Sequence, residues 1–197
     1  MAEQIRPGLW RWSAPHPDWQ PSERDDAPTS WPREVGCVLY QTQSHAVFID
    51  PLAPAHDPAF WDWADELCQG REVSVLETIH YHRRSRAEFL ARYGATTTTA
   101  PGVVPLHLVP FQETLQWIAE HRALVPGDTL IAGADGELCI CPQSWLDCID
   151  PLLTLAGLRA ALQLALAGLD VELVLVSHGE PVLHDGAAAL AGALREP

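Results

Sequence analysis

Positive charge is scarce in this chain. Lys and Arg together number 12 against 26 Asp and Glu, a formal net charge of −14. Nucleic acid is bound chiefly through basic contacts to phosphate, so it is excluded as a partner unless a basic stripe exists. The only basic cluster is Arg83, Arg84 and Arg86, with Arg92 nearby. That is enough to attract one small anion and too little for a duplex. An anionic membrane surface is disfavoured on the same ground. There is no run of about 18 apolar residues, so no membrane-crossing helix is expected. The N-terminus has no basic region leading into an apolar stretch, so no signal peptide is expected either. Cysteine is sparse and odd in number: Cys37, Cys68, Cys139, Cys141 and Cys148. This argues against a secreted disulfide framework, and reduced thiols in a cytoplasmic setting are the expectation. Cys139 and Cys141 alternate along a predicted strand and share one face as partly buried thiols rather than as a metal pair. Internal repeats and low-complexity segments are absent too.

The 197 residues, 47% of them hydrophobic, suffice for one domain spanning 1–197 and are too few for two comfortable ones. Eight Trp and 17 Pro are many for this length, and they crowd the opening. Residues 1–34 therefore read as a Pro-stiffened segment pinned to the domain by aromatic rings. Beyond it, Val35 to Tyr40 and Ala46 to Ile49 predict two strands around a polar turn, the second stopped by Asp50-Pro51. Asp57 and Pro58 open a helix carrying Phe60, Ala64, Leu67 and Cys68 on one face, ended by Gly70. Val73 to Ile79 predicts a strand that runs into His80-Tyr81-His82-Arg83-Arg84-Ser85. A short helix with Phe89, Leu90 and Tyr93 follows, with Ser85 as its N-cap, Glu88 completing a capping box, and Gly94 as its end.

Thr96 to Thr99 and Val103 to Val109 are β-prone. Leu115 to Ala119 and Ala123 to Val125 form a hairpin with His121 at its exposed tip. Pro126-Gly127-Asp128-Thr129-Leu130 is a turn into a further strand, and Glu137 to Cys141 is another. Pro151 opens a helix to Gly168 with Leu152, Leu155, Leu158, Leu162 and Leu166 on one side. The continuous apolar run Val171 to Val176 is a buried strand ending in Ser177-His178-Gly179, and Asp185 caps a last Ala-rich helix.

His80 and His82, spaced i, i+2 past a strand, share one side of an extended backbone and can share a cation there. Asp128 and His178 lie at two other strand ends, where the catalytic loops of α/β proteins gather. Taken singly, an HxH pair or a Gly-Asp turn has ordinary structural explanations. Their order along the chain carries the signal. Ser85 lacks the G-x-S-x-G surroundings of an activated nucleophile. His16, His45, His56 and His184 lie in polar turns, and Asp62, Asp65 and Glu66 read as a solvated helix face.

That order resembles the metallo-β-lactamase superfamily: a strand ending in Asp50, then Thr78-Ile79-His80-Tyr81-His82, then Gly127-Asp128-Thr129-Leu130, then Ser177-His178-Gly179. The resemblance runs from about Gly36 to the C-terminus and implies an αββα sandwich of two mixed β-sheets flanked by helices, with a metal centre at one edge. His80 and His82 match the first two histidines of the HxHxDH motif. Asp128 matches the carboxylate that bridges two metals, His178 the last histidine, and Asp50 a structural aspartate. Arg84 stands where the motif has its aspartate and Ser85 where it has the adjacent histidine. The middle histidine is missing; Gln112 or Glu113 falls near its place, and His107 reaches the site only if the strand register differs. The HYHRRS stretch is also similar to that of short members carrying HRRS after the first pair.

A divalent ion beside the Arg84 guanidinium costs several kcal/mol at low dielectric, so a second metal is not expected. His80, His82, Asp128 and His178, with Glu113, would hold at most one ion, zinc or iron. In the alternative no metal is bound, and Arg84 pairs with Asp128 as its cation, lowering its pKa. Two readings follow from the resemblance. One is a metal-dependent hydrolase of a small ester, thioester or lactone, with Asp128 and Arg84 as catalytic groups and Arg83 or Arg84 taking an anionic part of the substrate. The other is a non-catalytic protein that binds a small anionic ligand or a protein partner. Either way the partner is a small molecule or a protein, not nucleic acid or a membrane.

Overall fold

A computed structural model describes residues 2–22, 27, 30–98, 100–133 and 135–195. The first sheet has the order β1-β2-β3-β4-β5: β1 (Glu3–Arg6), β2 (Leu9–Pro15), β3 (Glu34–Gln41), β4 (His45–Ile49) and β5 (Glu72–Leu76). Its pairings are antiparallel except β4 with β5, which is parallel through the crossover helix α1 (Pro58–Cys68). The helix α2 (Arg86–Tyr93) leads on to the second sheet, made of β6 (Val103–Leu108), β7 (Glu113–Ile118), β8 (Ala123–Val125) and β11 (Leu173–Val174). β11 lies parallel to β8 and the other pairs are antiparallel. A separate ribbon pairs β9 (Leu130–Ala132) with β10 (Leu138–Ile140), and α3 (Gln143–Ile149), α4 (Leu155–Ala165) and α5 (Gly186–Ala193) complete the chain.

The strands alternate their side chains between two layers of core. Val38 and Tyr40 of β3 and Val47 and Ile49 of β4 face Val103, Ile118, Val125 and Leu175, filling the space between the sheets. Their neighbours Leu39 and Phe48 face the other way, against Phe60 and Ala64 of α1 and Phe89 of α2. On the far side, Leu115 and Trp117 of β7 pack on Leu146, Leu158, Leu162 and Leu190 of the later helices. Helix, sheet, sheet and helix are thus four layers with apolar seams between them, the sandwich that the resemblance implied.

The opening segment differs from expectation. Residues 3–15 are two strands, and β2 pairs with β3 over seven residues, from Leu9↔Tyr40 to Pro15↔Glu34. The crowding of Pro and Trp masked a period-2 pattern in which Trp10, Trp12 and Ala14 face one layer of core, while Leu9 is buried on the opposite face. Trp12 packs edge-on to Phe48 and against Phe60. Four further expectations are corrected. The helix expected from Pro151 starts at the N-cap Thr154, whose side chain accepts from Gly157 N, and the preceding α3 was not foreseen. Ser85 Oγ does not cap α2 but accepts from Ala53 N at 3.0 Å. Asp185 makes no side-chain cap, having adopted a left-handed backbone. His121 is buried, its ring edge-on to Tyr40. The β-prone Thr96 makes a single bridge to Ser74, and Thr99 lies outside the described residues. All five cysteines are free. No helix among the described residues is long and apolar enough to cross a membrane.

The two sheets are tied at one edge in two places. Thr114 N donates to Thr78 O at 2.7 Å beside an Ile79↔Glu113 bridge. Gly36 N donates to Ser177 O at 2.7 Å beside a Val35↔His178 bridge. Gly36 permits the second tie, because a Cβ there would meet Val176 O at 2.6 Å. The polar loops that follow β4, β5, β8 and β11 converge between these ties.

Candidate metal centre

Asp50 ends β4 with φ 50°, a left-handed conformation that Asp tolerates better than most residues. Buried there, it accepts from Thr78 N at 2.8 Å, from the Thr78 hydroxyl, and from His82 Nδ1 at 2.9 Å. His82 arrives through a 3-10 turn over His80–Arg83. In such a turn successive side chains are about 120° apart, so i and i+2 do not share a face as they would on a strand. This separates the expected pair. His82 is 4% exposed and points inward, whereas His80 is exposed and rests against Tyr81, ring centroids 3.8 Å apart. His80 therefore stands outside the site it was assigned to.

The inward nitrogen of His82, Nε2, lies 3.0 Å from Asp128 Oδ1. The same oxygen is 3.1 Å from His178 Nε2. His82, Asp128 and His178 thus offer one ligand atom each, all within 4.8 Å of one another. Asp128 owes its place to Glu113, whose Oε1 accepts from Gly127 N at 3.0 Å and from Thr129 Oγ1 at 2.6 Å. Its Oε2 accepts from Asp128 N and Thr129 N, both at 2.9 Å. The carboxylate of Glu113 is occupied by the loop it folds and, like His80, falls outside the ligand-atom group. Gln112 lies in a left-handed turn residue next to it, and His107 hydrogen-bonds Thr114 on the exposed side.

Arg84 departs furthest from expectation. Its guanidinium does not pair with Asp128. Nη1 donates to Gly36 O at 2.8 Å and to Asp50 O at 2.9 Å, and Nη2 donates to Ser177 Oγ at 2.5 Å. The physical reason is that His82 and His178 already supply the hydrogen bonds and positive charge that Asp128 needs, which leaves Arg84 to the carbonyls where the sheets meet. Arg11 does similar work from β2, donating to Gly179 O at 2.9 Å and so holding the far side of His178.

The electrostatics follow from these contacts. Burial and Arg84 push His82 toward its neutral form, but Asp128 and Asp50 outweigh them and raise its pKa to about 9. Burial also works against the Asp128 carboxylate, yet His82 and His178 hold it well below the usual range. His178 is lowered, chiefly by burial. Burial lifts Glu113 to about 7 despite its donors from Thr129 and Gly127. An imidazole between two carboxylates is a cation donating from both nitrogens, or it gives up one proton to a metal while the far carboxylate fixes its orientation. The donor set fits one ion: two histidines and a carboxylate at hydrogen-bonding separation, with Asp50 behind the first histidine.

Above these groups lies a cavity of about 390 Å³. Sequence reasoning missed part of its wall. Trp31 and Trp145 flank His178, with ring centroids at 5.9 and 5.4 Å. His16, expected in an exposed turn, lines the cavity and packs edge-on to Trp31. Only the abundance of tryptophan hinted at this.

No protein-family model matches the chain, and no curated protein matches it in sequence. Solved structures do match in shape. A metallo-β-lactamase from Pontibacter korlensis has a TM-score of 0.61 at 12% identity, covering 100% of this chain and 99% of that one. DIM-1 metallo-β-lactamase, in a structure exposed to ceftazidime, has a TM-score of 0.61 at 10% identity, covering 98% and 95%. TMB-1 has 0.57 at 11%, covering 98% and 96%. The chain has the metallo-β-lactamase fold.

Proposed function

We propose that this protein is a hydrolase working with a single metal ion held by His82, Asp128 and His178, acting on a small ester, thioester or lactone. The observation that carries the reading is the convergence of those three ligand-type side chains, with Asp50 orienting His82 from behind. Zinc or iron in a three-ligand site with an open position supplies a water acidified toward neutrality and polarises a carbonyl. The chain's own residues do the rest. Asp50 keeps the Nδ1 proton of His82 in place, so that Nε2 is the nitrogen presented. Glu113 fixes the Asp128 loop. Asp128 presents Oδ1 at the cleft floor between the two imidazoles. Arg84 holds a fixed positive charge near the site, which disfavours a second ion.

One observation favours the metal-free binding protein: His82, as an imidazolium between Asp50 and Asp128, completes its hydrogen bonds with no ion present. Elemental analysis of protein purified without chelator separates the two readings, together with turnover of an ester, thioester and lactone panel before and after chelation. One zinc or iron per chain with chelator-sensitive turnover supports the hydrolase. No ion after metal loading supports the binder, with the cytoplasm as the expected setting for either.

A further inference from the structure

The cleft above His82, Asp128 and His178 has a marked division of chemistry. His82, Asp128 and His178 sit at its floor, and His16 and Tyr81 are polar groups elsewhere in its lining. Its walls are Trp31, Val35, Ile79, Trp145, Leu146 and Ile149, drawn from three separate segments of the chain. The helix α3 supplies three of these, and Leu146, 1% exposed, anchors it in the layer where β7 packs on the later helices. Tryptophans on both sides of His178 make the space next to the reacting floor aromatic. A volume of about 390 Å³ is that of a small-molecule site.

Charge narrows the choice further. Among the described residues that line the cleft, Arg84 is the only Arg or Lys. Its Nη1 donates to Gly36 O and Asp50 O and its Nη2 to Ser177 Oγ, while its Nε has no partner but is buried out of reach of the cleft's contents. The exposed Arg83 does not line the cleft. A carboxylate carried on the far end of a substrate would thus enter an apolar wall with no free permanent cation to meet it, in a chain of net charge −14. Burying an unpaired anion there is costly, whereas a methyl or phenyl group gains from the same surface.

We infer that the cleft selects an uncharged acyl compound, an ester, thioester or lactone whose apolar arm lies along α3 between Trp145 and Ile149. This rests on the hydrolase reading for the reacting group, while the choice of arm comes from the wall alone. It replaces the anionic substrate that the basic cluster had suggested. Trp145 and Ile149 are on this account the specificity-determining residues.

The test uses two probes that share one head group: hexanamide, ending in a methyl, and adipic acid monoamide, ending in a carboxylate. Each is titrated into the full chain, as purified and zinc-loaded, following the tryptophan indole N–H signals by NMR. Hexanamide is expected to bind at least about tenfold more tightly in both forms. Trp145→Ala is expected to weaken hexanamide several-fold. Since that variant could lose α3 packing, Ile149→Lys serves as the second: it places a cation in the wall at a partly exposed position and is expected to reverse the preference. Equal or tighter binding of the charged probe to the unaltered protein overturns the inference. So does an unchanged preference in a folded Ile149→Lys variant, or the failure of both probes to shift any indole signal at millimolar concentration. The hydrolase reading fails separately. If hexanamide is preferred but no metal is taken up, the wall is as described and the catalysis is not. If one metal binds and both probes bind alike, the reverse holds.

Discussion

Replacing Arg84 with Met keeps most of the side-chain bulk and removes every N–H. Three contacts go: Nη1 to Gly36 O at 2.8 Å and to Asp50 O at 2.9 Å, and Nη2 to Ser177 Oγ at 2.5 Å. A hydrogen bond from a charged donor contributes about 1.5–3 kcal/mol net, and a carbonyl left without its donor adds to the loss. Arg84 is partly exposed, so water can replace some of this, and a total of about 3 kcal/mol is expected. For a chain of this size, about 3 kcal/mol is a fall in Tm of roughly 6–12 °C. The contacts also join the Asp50 end of β4 to the segment carrying His178. Slack there should weaken zinc binding about 10–100-fold, as loss of an outer-shell partner does elsewhere. Arg84→Lys keeps one or two of the donors and should recover part of both effects. Thermal unfolding and zinc calorimetry on the three proteins check this. A variant Arg84→Met with unchanged Tm and unchanged zinc affinity would refute the view that the guanidinium cross-links the site.

Three further outcomes are expected. His82→Ala and His178→Ala should each lower zinc affinity by at least about tenfold, while His80→Ala, at an exposed position, should leave it unchanged in calorimetry. In metal-free protein the His82 pKa is raised to about 9 from an unfolded 6.5, so its stabilisation is fully present below pH 6.5 and lost as pH rises through 9; urea unfolding between pH 6 and 10 should show a decline of roughly 2–3 kcal/mol, absent in His82→Asn. Glu113, raised to about 7 from 4.5, binds its proton more tightly when folded, so stability should also fall between pH 4.5 and 7. Glu113→Gln should remove that phase and cost about 2 kcal/mol at pH 7, because an amide cannot accept from all of Gly127, Asp128 and Thr129.

The fold was legible where apolar runs of strand length were clean, as in β3 and β4, and where Asp57 with Pro58 and Gly94 marked helix ends. It was illegible at β1 and β2, because Pro and Trp pulled the reading toward an irregular segment, and at α3, too short at seven residues to show a periodicity. Asp50, His82, Asp128 and His178, which the structure brings together, were singled out in the sequence by strand ends and by the order that carries the resemblance. His80 was misplaced because an HxH pair shares a face only on extended backbone, and the turn over His80–Arg83 is not extended. Arg84 was given the wrong partner because the resemblance set it in the place of the motif's aspartate, beside an Asp128 thought to lack a cation, without weighing what His82 and His178 supply. The histidines that satisfy Asp128 lie 46 and 50 residues away, and only the fold brings them to it.

The claim at the centre of this account is that one ion sits between His82, Asp128 and His178. X-ray absorption at the metal edge of zinc-loaded protein tests it most directly. The account predicts one ion per chain with a shell of nitrogen and oxygen at about 2.0–2.2 Å, including two imidazoles. A sulfur scatterer near about 2.3 Å would move the ion to cysteines such as Cys141 and Cys148 in the cleft wall. That result, or no ion retained after loading, would contradict it.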